Sequence, residues 1–267
     1  MTRILVVMLF ITIVCGAKAD ETCSSFVGEP IAPVPIEVAI SQLSSLKQLP
    51  KGEFETTMDY NSRIEKKTGG NIRRMIIGKP IESRRFFEYD ADGERLKIKQ
   101  YAFTYQEIDL FSAIYGGGLP DKININPFKS FGAVISSSDK KTGYYSASNS
   151  FGVRTSVVSI ERTVKAIVDP DTNNSYSLFP SADLSPNIVG ELMLSPSEAR
   201  QLKPKLNLAF VVIPKEPFVL NGVHNPGEVT LNNPQSVTER FTILVADIQC
   251  GLVLDGSNKV LGAYMTR

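Results

Sequence analysis

The chain predicts an α+β fold built mainly on antiparallel β-sheet, sandwich-like in its core, with a few short N-terminal and inserted helices. Three observations point there. Several stretches alternate apolar and polar residues with the two-residue period of a half-buried strand. Turn-forming pairs separate them, among them Asp92-Gly93, Asn221-Gly222, Pro226-Gly227 and Asp255-Gly256. Helical spacing is confined to short segments and does not recur between successive strands, as a doubly wound parallel sheet would require. The 267 residues, 42% of them hydrophobic, suffice for a packed core, and a formal charge of +1 gives no global drive toward nucleic acid or anionic lipid.

At the N-terminus, Arg3 precedes an apolar run from Ile4 to Val14, and Ala17-Lys18-Ala19 places small residues around a cleavage point. This is the pattern of a secretory signal peptide over residues 1–19, cut before Asp20. As a helix the run rises about 16 Å against a hydrocarbon core of about 30 Å, so no transmembrane anchor is expected after cleavage. Cys15 follows Val14 and Cys23 follows Thr22, so neither has the small preceding residue of a lipidation signal. Cleavage removes Arg3 and Lys18 and no acid, leaving 27 basic against 28 acidic side chains. It also removes Cys15. The remaining Cys23 and Cys250 make an even pair suited to an oxidising compartment, where a bridge would tie the mature N-terminus to a strand-like C-terminal segment. Two free buried thiols are the alternative.

Residues 20–52 read as an extended lead-in, with Pro30, Pro33 and Pro35, followed by a helix. Ile36, Ala39, Ile40, Leu43 and Leu46 recur at helical spacing, Pro35 suits the first turn and Pro50 stops the element. Residues 53–267 read as the β-rich domain. A second helix opens it, from near Phe54 through Met58 and Ile64 to Gly69 and Gly70. Thr104 and Glu107 have capping-box spacing ahead of Ile108, Phe111 and Ile114, with Gly116 to close that helix, and Ser195, Pro196 and Glu198 mark a short helix ending by Pro204.

The strands follow from alternation. Val158, Ile160, Val164, Ala166 and Val168 share one face, interrupted only by Arg162, while Ser159, Glu161, Thr163 and Lys165 form a wet face. Leu244, Ala246, Ile248, Cys250, Leu252 and Leu254 form a second apolar face, before Asp255-Gly256 turns into Val260 to Met265. A hairpin at Asp92-Gly93 sets Asp90 opposite Arg95 and Glu88 opposite Lys97, with Phe87 and Tyr89 beside Ile98 and Leu96 on the buried face. Tyr115 to Phe128, with Gly116 to Gly118 and two prolines, reads as a loop or joint, and Pro170 to Asn174 as a turn. Lys-Lys-Thr-Gly occurs at 66–69 and again at 140–143, without a periodic repeat around it.

Glu53-Phe54-Glu55-Thr56-Thr57, with Tyr60 and Arg63, resembles a short motif of exported bacterial proteins of unassigned function. The resemblance covers Glu53 to Arg63 alone. It implies a bacterial periplasmic setting and carries no activity.

Recognisable catalytic chemistry is scarce. His224 is the only His, so a site with two imidazoles, including the HExxH metalloprotease, is excluded, and no Gly-x-Ser-x-Gly elbow accompanies it. Its turn-rich surroundings, Leu220 to Pro226, read as an exposed loop. Ser-x-x-Lys at Ser44 and Ser137, with Lys-Thr-Gly at 67–69 and 141–143, look like fragments of a penicillin-binding acyltransferase. The second pair overlaps, Ser44 falls late in its helix, and no Ser-Asp-Asn intervenes, so chance explains them better. Gly116 to Gly118 lacks the strand before and the Lys-Ser/Thr after that a phosphate loop needs. Asp169-Pro170-Asp171 with Asn173 and Asn174 is a polar turn sooner than a cation site, so neither a metal nor a cofactor is expected.

The strongest local charge lies between Arg63 and Arg85, where eight basic residues face only Glu65 and Glu82. Arg63, Lys66, Lys67, Arg73, Arg74, Arg84 and Arg85 are the candidate ligand-binding residues, for an acidic polymer or an acidic protein of the cell envelope. A solvated charged surface is the bland alternative. Tyr144, Tyr145, Ser146, Ser148 and Asn149 form a polar aromatic stretch able to stack on a sugar ring or simply to cover a strand, and the absence of Trp weakens the sugar reading. Together these features predict an exported, periplasmic or secreted binding or envelope-associated protein with no nucleic-acid partner and no assigned catalytic residue. The competing class is a secreted hydrolase built on unmotifed carboxylates, a choice that spacing alone cannot make.

Overall fold

A computed structural model describes residues 23–47, 51–67, 74–81, 84–104, 130–170 and 188–265. The expected signal peptide lies outside the described residues. So do the helix expected from Ile108 to Ile114, the Gly116 to Gly118 joint and the turn residues Asp171 to Asn174.

After a 3-10 turn at Cys23–Phe26, Pro35 opens helix α1 (Ile36–Lys47), whose inner positions Ile36, Ala39 and Leu43 are buried. Helix α2 (Thr57–Lys67) starts where Thr56 Oγ1 accepts from the Asp59 N–H at 3.1 Å, and it buries Tyr60 and Ile64. Strands β1 (Met75–Lys79), β2 (Phe87–Asp90) and β3 (Arg95–Lys99) follow, then the short helix α3 (Tyr101–Thr104), which contains Thr104. Strands β4 (Phe131–Ser148), β5 (Arg154–Asp169) and β6 (Ile188–Met193) precede helix α4 (Pro196–Leu202). The chain ends with β7 (Asn207–His224), β8 (Gln235–Leu254) and β9 (Val260–Met265).

The larger sheet runs β1-β7-β8-β5-β4 with β9 also on β8; the smaller is β2-β3-β6. Pairing is antiparallel throughout except between β5 and β8, which run parallel. The excursion through β6, α4 and β7 supplies the long connection that a parallel pair needs. The fold is therefore α+β and mainly antiparallel. One face of the large sheet packs against α1, α2, α3 and the small sheet through a core that includes Leu43, Phe87, Ile98, Phe103, Phe210 and Ile248. The Tyr264 ring lies directly on Gly190 of β6 and Gly262 of β9, a close approach of the two sheets that leaves no room for a Cβ.

Strand β8 is 20 residues long and takes two neighbours along one edge, β5 over Gln235 to Val245 and β9 over Cys250 to Leu254. In the gap between them, buried Asp169 accepts the Ile248 N–H at 2.9 Å, which accounts for a carboxylate inside the core. The expected single apolar face from Leu244 to Leu254 is not continuous. Val211 pairs with Cys250 and Val212 with Ile248, so Gln249 is a bulge that reverses the alternation. Leu244, Ala246 and Ile248 enter the main core, whereas Cys250, Leu252 and Leu254 emerge on the opposite face with Cys23, Val211 and Val260. The wet face expected on β5 also stops short: Ile167 turns into the main core, while Val164, Ala166 and Val168 join Leu220, Phe241 and Ile243 on the far face. Asn221-Gly222, expected as a turn, lies within β7, where cross-strand pairing with Thr242 and Phe241 overrides the local preference.

Cys23 and Cys250 are joined by a disulfide, with Cα atoms 6.4 Å apart. The lead-in beside it is stitched down by backbone bonds, Gly28 N–H to Val260 O at 2.8 Å, Val260 N–H to Glu29 O at 2.9 Å and Val34 N–H to Ile76 O at 2.7 Å.

Candidate functional site

Register across the large sheet aligns Asp139 of β4, Arg162 of β5, Glu239 of β8 and His224 of β7 in one row. Arg162 donates from Nε and Nη2 to the Asp139 carboxylate at 2.7 and 2.9 Å, and from Nη1 to Glu239 Oε1 at 3.1 Å. His224 Nδ1 stands 3.3 Å from Glu239 Oε2. The Glu239 side chain is 4% exposed and that of His224 16%, so the expectation of a solvent-exposed loop His is corrected: strand pairing carries it to the end of β7 and against a buried carboxylate. The Arg162 hydrogen bonds hold the Asp139 carboxyl below its ordinary value despite partial burial, and the same bonds raise the Arg162 guanidinium. Asp139, Arg162 and Glu239 alternate in sign across β4, β5 and β8, which favours this register, and His224 of β7 completes the row. The sequence signal for it was Arg162, the lone interruption of an apolar face.

The basic run is divided among several elements. Arg63 grips both oxygens of Glu55 at 2.7 Å and lies 5.2 Å over the Tyr60 ring; its guanidinium holds the Glu55 carboxyl at about 2. Buried Tyr60 has its phenol pushed up by desolvation and by its bond to Glu216. Arg74 lies over Phe26, at 5.9 Å, and Arg85 over Phe86, at 5.1 Å. Lys79, the eighth basic residue, is buried and donates to the Phe103 carbonyl at 2.9 Å. Lys66 and Lys67 are exposed in the last turn of α2, where cations favour the helix dipole. Arg73 lies outside the described residues, and of Arg84 only the backbone, in the 3-10 turn Arg84–Phe86, is described.

Two clefts flank α4. One, of about 550 Å³, is lined by Tyr89, Pro196, Ala199, Arg200, Lys203 and Pro204. The other, of about 530 Å³, holds Glu198 and Asp255 with Leu194, Gln201, Lys205 and Ser257. The expected capping box forms here: Ser195 Oγ accepts the Glu198 N–H at 3.4 Å, and Glu198 accepts the Ser195 N–H at 2.9 Å. The Ser195 hydroxyl, which donates to Glu198 Oε2 at 2.6 Å, and the Ser195 N–H hold Glu198 below the usual carboxylate range, and the Ser257 hydroxyl with the Lys259 N–H does the same for Asp255. Both carboxylates therefore act as acceptors, whereas a general acid needs a carboxyl pushed upward.

Tyr144 and Tyr145 lie on β4 and are exposed, as are Ser146 and Ser148. Among the described residues no group of three or more His, Cys, Asp or Glu is placed to hold a metal ion, and no helix is long and apolar enough to cross a membrane. Comparison with protein-family models, curated proteins and solved structures gives no match.

Proposed function

We propose that this chain is exported to an oxidising compartment, periplasmic or secreted, and acts there by binding a partner of the cell envelope. The observation that carries the reading is the Cys23–Cys250 disulfide, which joins the residue three positions after Asp20, the expected first residue of the mature chain, to the centre of the large sheet. Once residues 1–19 are removed no Cys is left over. Support for binding over hydrolysis comes from the second cleft, whose two carboxylates are both drawn downward by their hydrogen bonds. Among the described residues of the basic run, Lys66, Lys67 and Arg85 are exposed, and they suit an acidic partner.

N-terminal sequencing of protein recovered from the envelope fraction, with thiol titration of the denatured, non-reduced chain, tests the setting. A chain beginning at Asp20 with no reactive thiol is the expected result. One beginning at Met1, recovered from the cytosol with free thiols, overturns it. Retention on heparin that falls with salt and is lost in Lys66→Glu/Lys67→Glu supports the acidic partner; retention unaffected by that reversal rejects it.

A further inference from the structure

The first cleft beside α4, between that helix and the end of the β2–β3 hairpin, has a volume of about 550 Å³, inside the range of about 300 to 1,000 Å³ typical of small-molecule sites. On the helix side Pro196, Ala199, Arg200 and Lys203 recur at the spacing of one helical face; on the hairpin side stand the Tyr89 ring and Ala91. The middle of the helical face is Ala199, buried and only a methyl deep, where a longer apolar side chain would fill the gap. Tyr89, Pro196 and Pro204 give the cleft apolar walls.

The polar groups of the lining select the ligand. The Tyr89 hydroxyl has spent its proton, donating to the Leu194 carbonyl at 2.8 Å. Burial, and after it the charges of Glu94, Asp90 and Glu198, push that phenol up, so it remains a neutral wall. The other polar side chains of the lining, Arg200 and Lys203, donate hydrogen bonds and cannot accept them. No carboxylate lines this cleft, and those nearby are turned to other partners. Glu198 belongs to the second cleft and is held by Ser195. Asp90 is held by the Gly93 N–H and by Lys97, each at 3.1 Å, and Glu88 by Lys99 at 2.7 Å, with Lys203 adding to the pull on Glu88 from further away. Arg200 is exposed and makes no ion pair among the described residues. A ligand rich in hydroxyls or amines would bury donors that no lining side chain is placed to receive. A ligand with an apolar body and one acidic group satisfies both the walls and the cations.

We propose that this cleft binds a small organic monoanion with an apolar body: Arg200, with Lys203 beside it, holds the carboxylate, and the body packs on Tyr89, Pro196 and Pro204. Aryl and alkyl carboxylates share this chemistry. The inference goes beyond the acidic envelope partner and uses none of the residues invoked for it.

Isothermal titration of the full disulfide-bonded chain compares naphthoate with naphthylmethanol, octanoate with octanol, and acetate alone. At least one of the two larger acids is expected to bind about tenfold or more tighter than its matched alcohol, and acetate is expected to give no measurable binding. The tighter acid identifies the body as a ring or a chain, and either result supports the proposal. Arg200→Gln with Lys203→Gln is expected to weaken that acid by about tenfold or more and to leave the alcohol unchanged. In the amide spectrum of the unsubstituted chain, Ala91, Ala199 and Arg200 should shift during the titration, whereas Gly256 and Ser257 of the second cleft should not. Failure of both acids to bind, equal affinity for acid and alcohol, undiminished affinity in the double variant, or shifts centred away from α4 each overturns the proposal. None of these outcomes bears on the heparin or processing experiments, because Lys66, Lys67 and the N-terminus lie outside the cleft.

Discussion

Replacing Cys23 and Cys250 together by Ala removes a bridge between residues 227 apart in sequence. For a closed loop of that size, chain entropy assigns an upper figure of about 5 kcal/mol to the constraint it places on the unfolded chain. The native state loses less than the full tether. The bonds from Gly28 to Val260, from Val260 to Glu29 and from Val34 to Ile76 still hold the lead-in against β9 and β1. Both cysteines are buried, so truncation also leaves a small void beside Val211, Leu252 and Val260. The net loss is expected to be about 3 to 5 kcal/mol. Urea unfolding at neutral pH measures it for three samples: the oxidised chain, the same chain kept reduced, and Cys23→Ala/Cys250→Ala. The reduced chain and the double variant should agree, and both should show a larger m-value because their unfolded states open further. A loss below about 1 kcal/mol, or two reactive thiols in the denatured oxidised chain, would refute the reasoning.

Other consequences follow from contacts already described. Arg162→Leu leaves Glu239, whose side chain is 4% exposed, with His224 as its remaining partner among the described residues; a loss of about 2 to 3 kcal/mol is expected by urea unfolding, with partial recovery when Glu239→Gln is added. Glu37, Asp139 and Glu161 have carboxyls lowered by Lys165, Arg162 and Arg240 respectively. A lowered folded value stabilises the native state above the unfolded carboxyl pKa of about 4 and is lost as pH falls through the folded value, so thermal stability should decline below about pH 4. Asp139→Asn should flatten that decline, and an unchanged profile would contradict the assignment. Gly190→Ala places a methyl against the Tyr264 ring and should cost about 1 to 3 kcal/mol, measured by thermal unfolding; Gly190→Ala with Tyr264→Leu should recover part of it.

How far the sequence could be read depended on how local each determinant was. The Asp92-Gly93 hairpin was legible to the residue pair, Phe87 with Ile98 and Asp90 with Arg95, because four residues of alternation on each side of a turn leave one register. Helix α4 was legible for the same reason: Ser195 and Glu198 satisfy each other within one turn. The parallel β5–β8 pairing was not. Arg162 and Glu239 are 77 residues apart, and nothing in either strand names the other. Nor was the bulge at Gln249, since apolar residues at alternate positions continue through it while the faces they serve change over. His224 was misplaced because Asn221-Gly222 has strong turn chemistry, which lost to the pairing of β7 along β8.

The same distinction decides which charges remain for a partner. The basic run from Arg63 to Arg85 dominated the sequence, but folding engages much of it: Arg63 takes Glu55 eight residues back, Lys79 takes a carbonyl 24 residues on, and Arg74 and Arg85 settle on rings. A run of like charge is thus a poor guide to a binding face when its complements lie within reach of the fold. The hairpin segment from Lys140 to Ile160 is the opposite case. Its charge is weaker, but it contains no acid, and beyond Val158 its two strands pair only with each other among the described residues. Cations and aromatic rings that the fold does not absorb are the groups free to meet another surface.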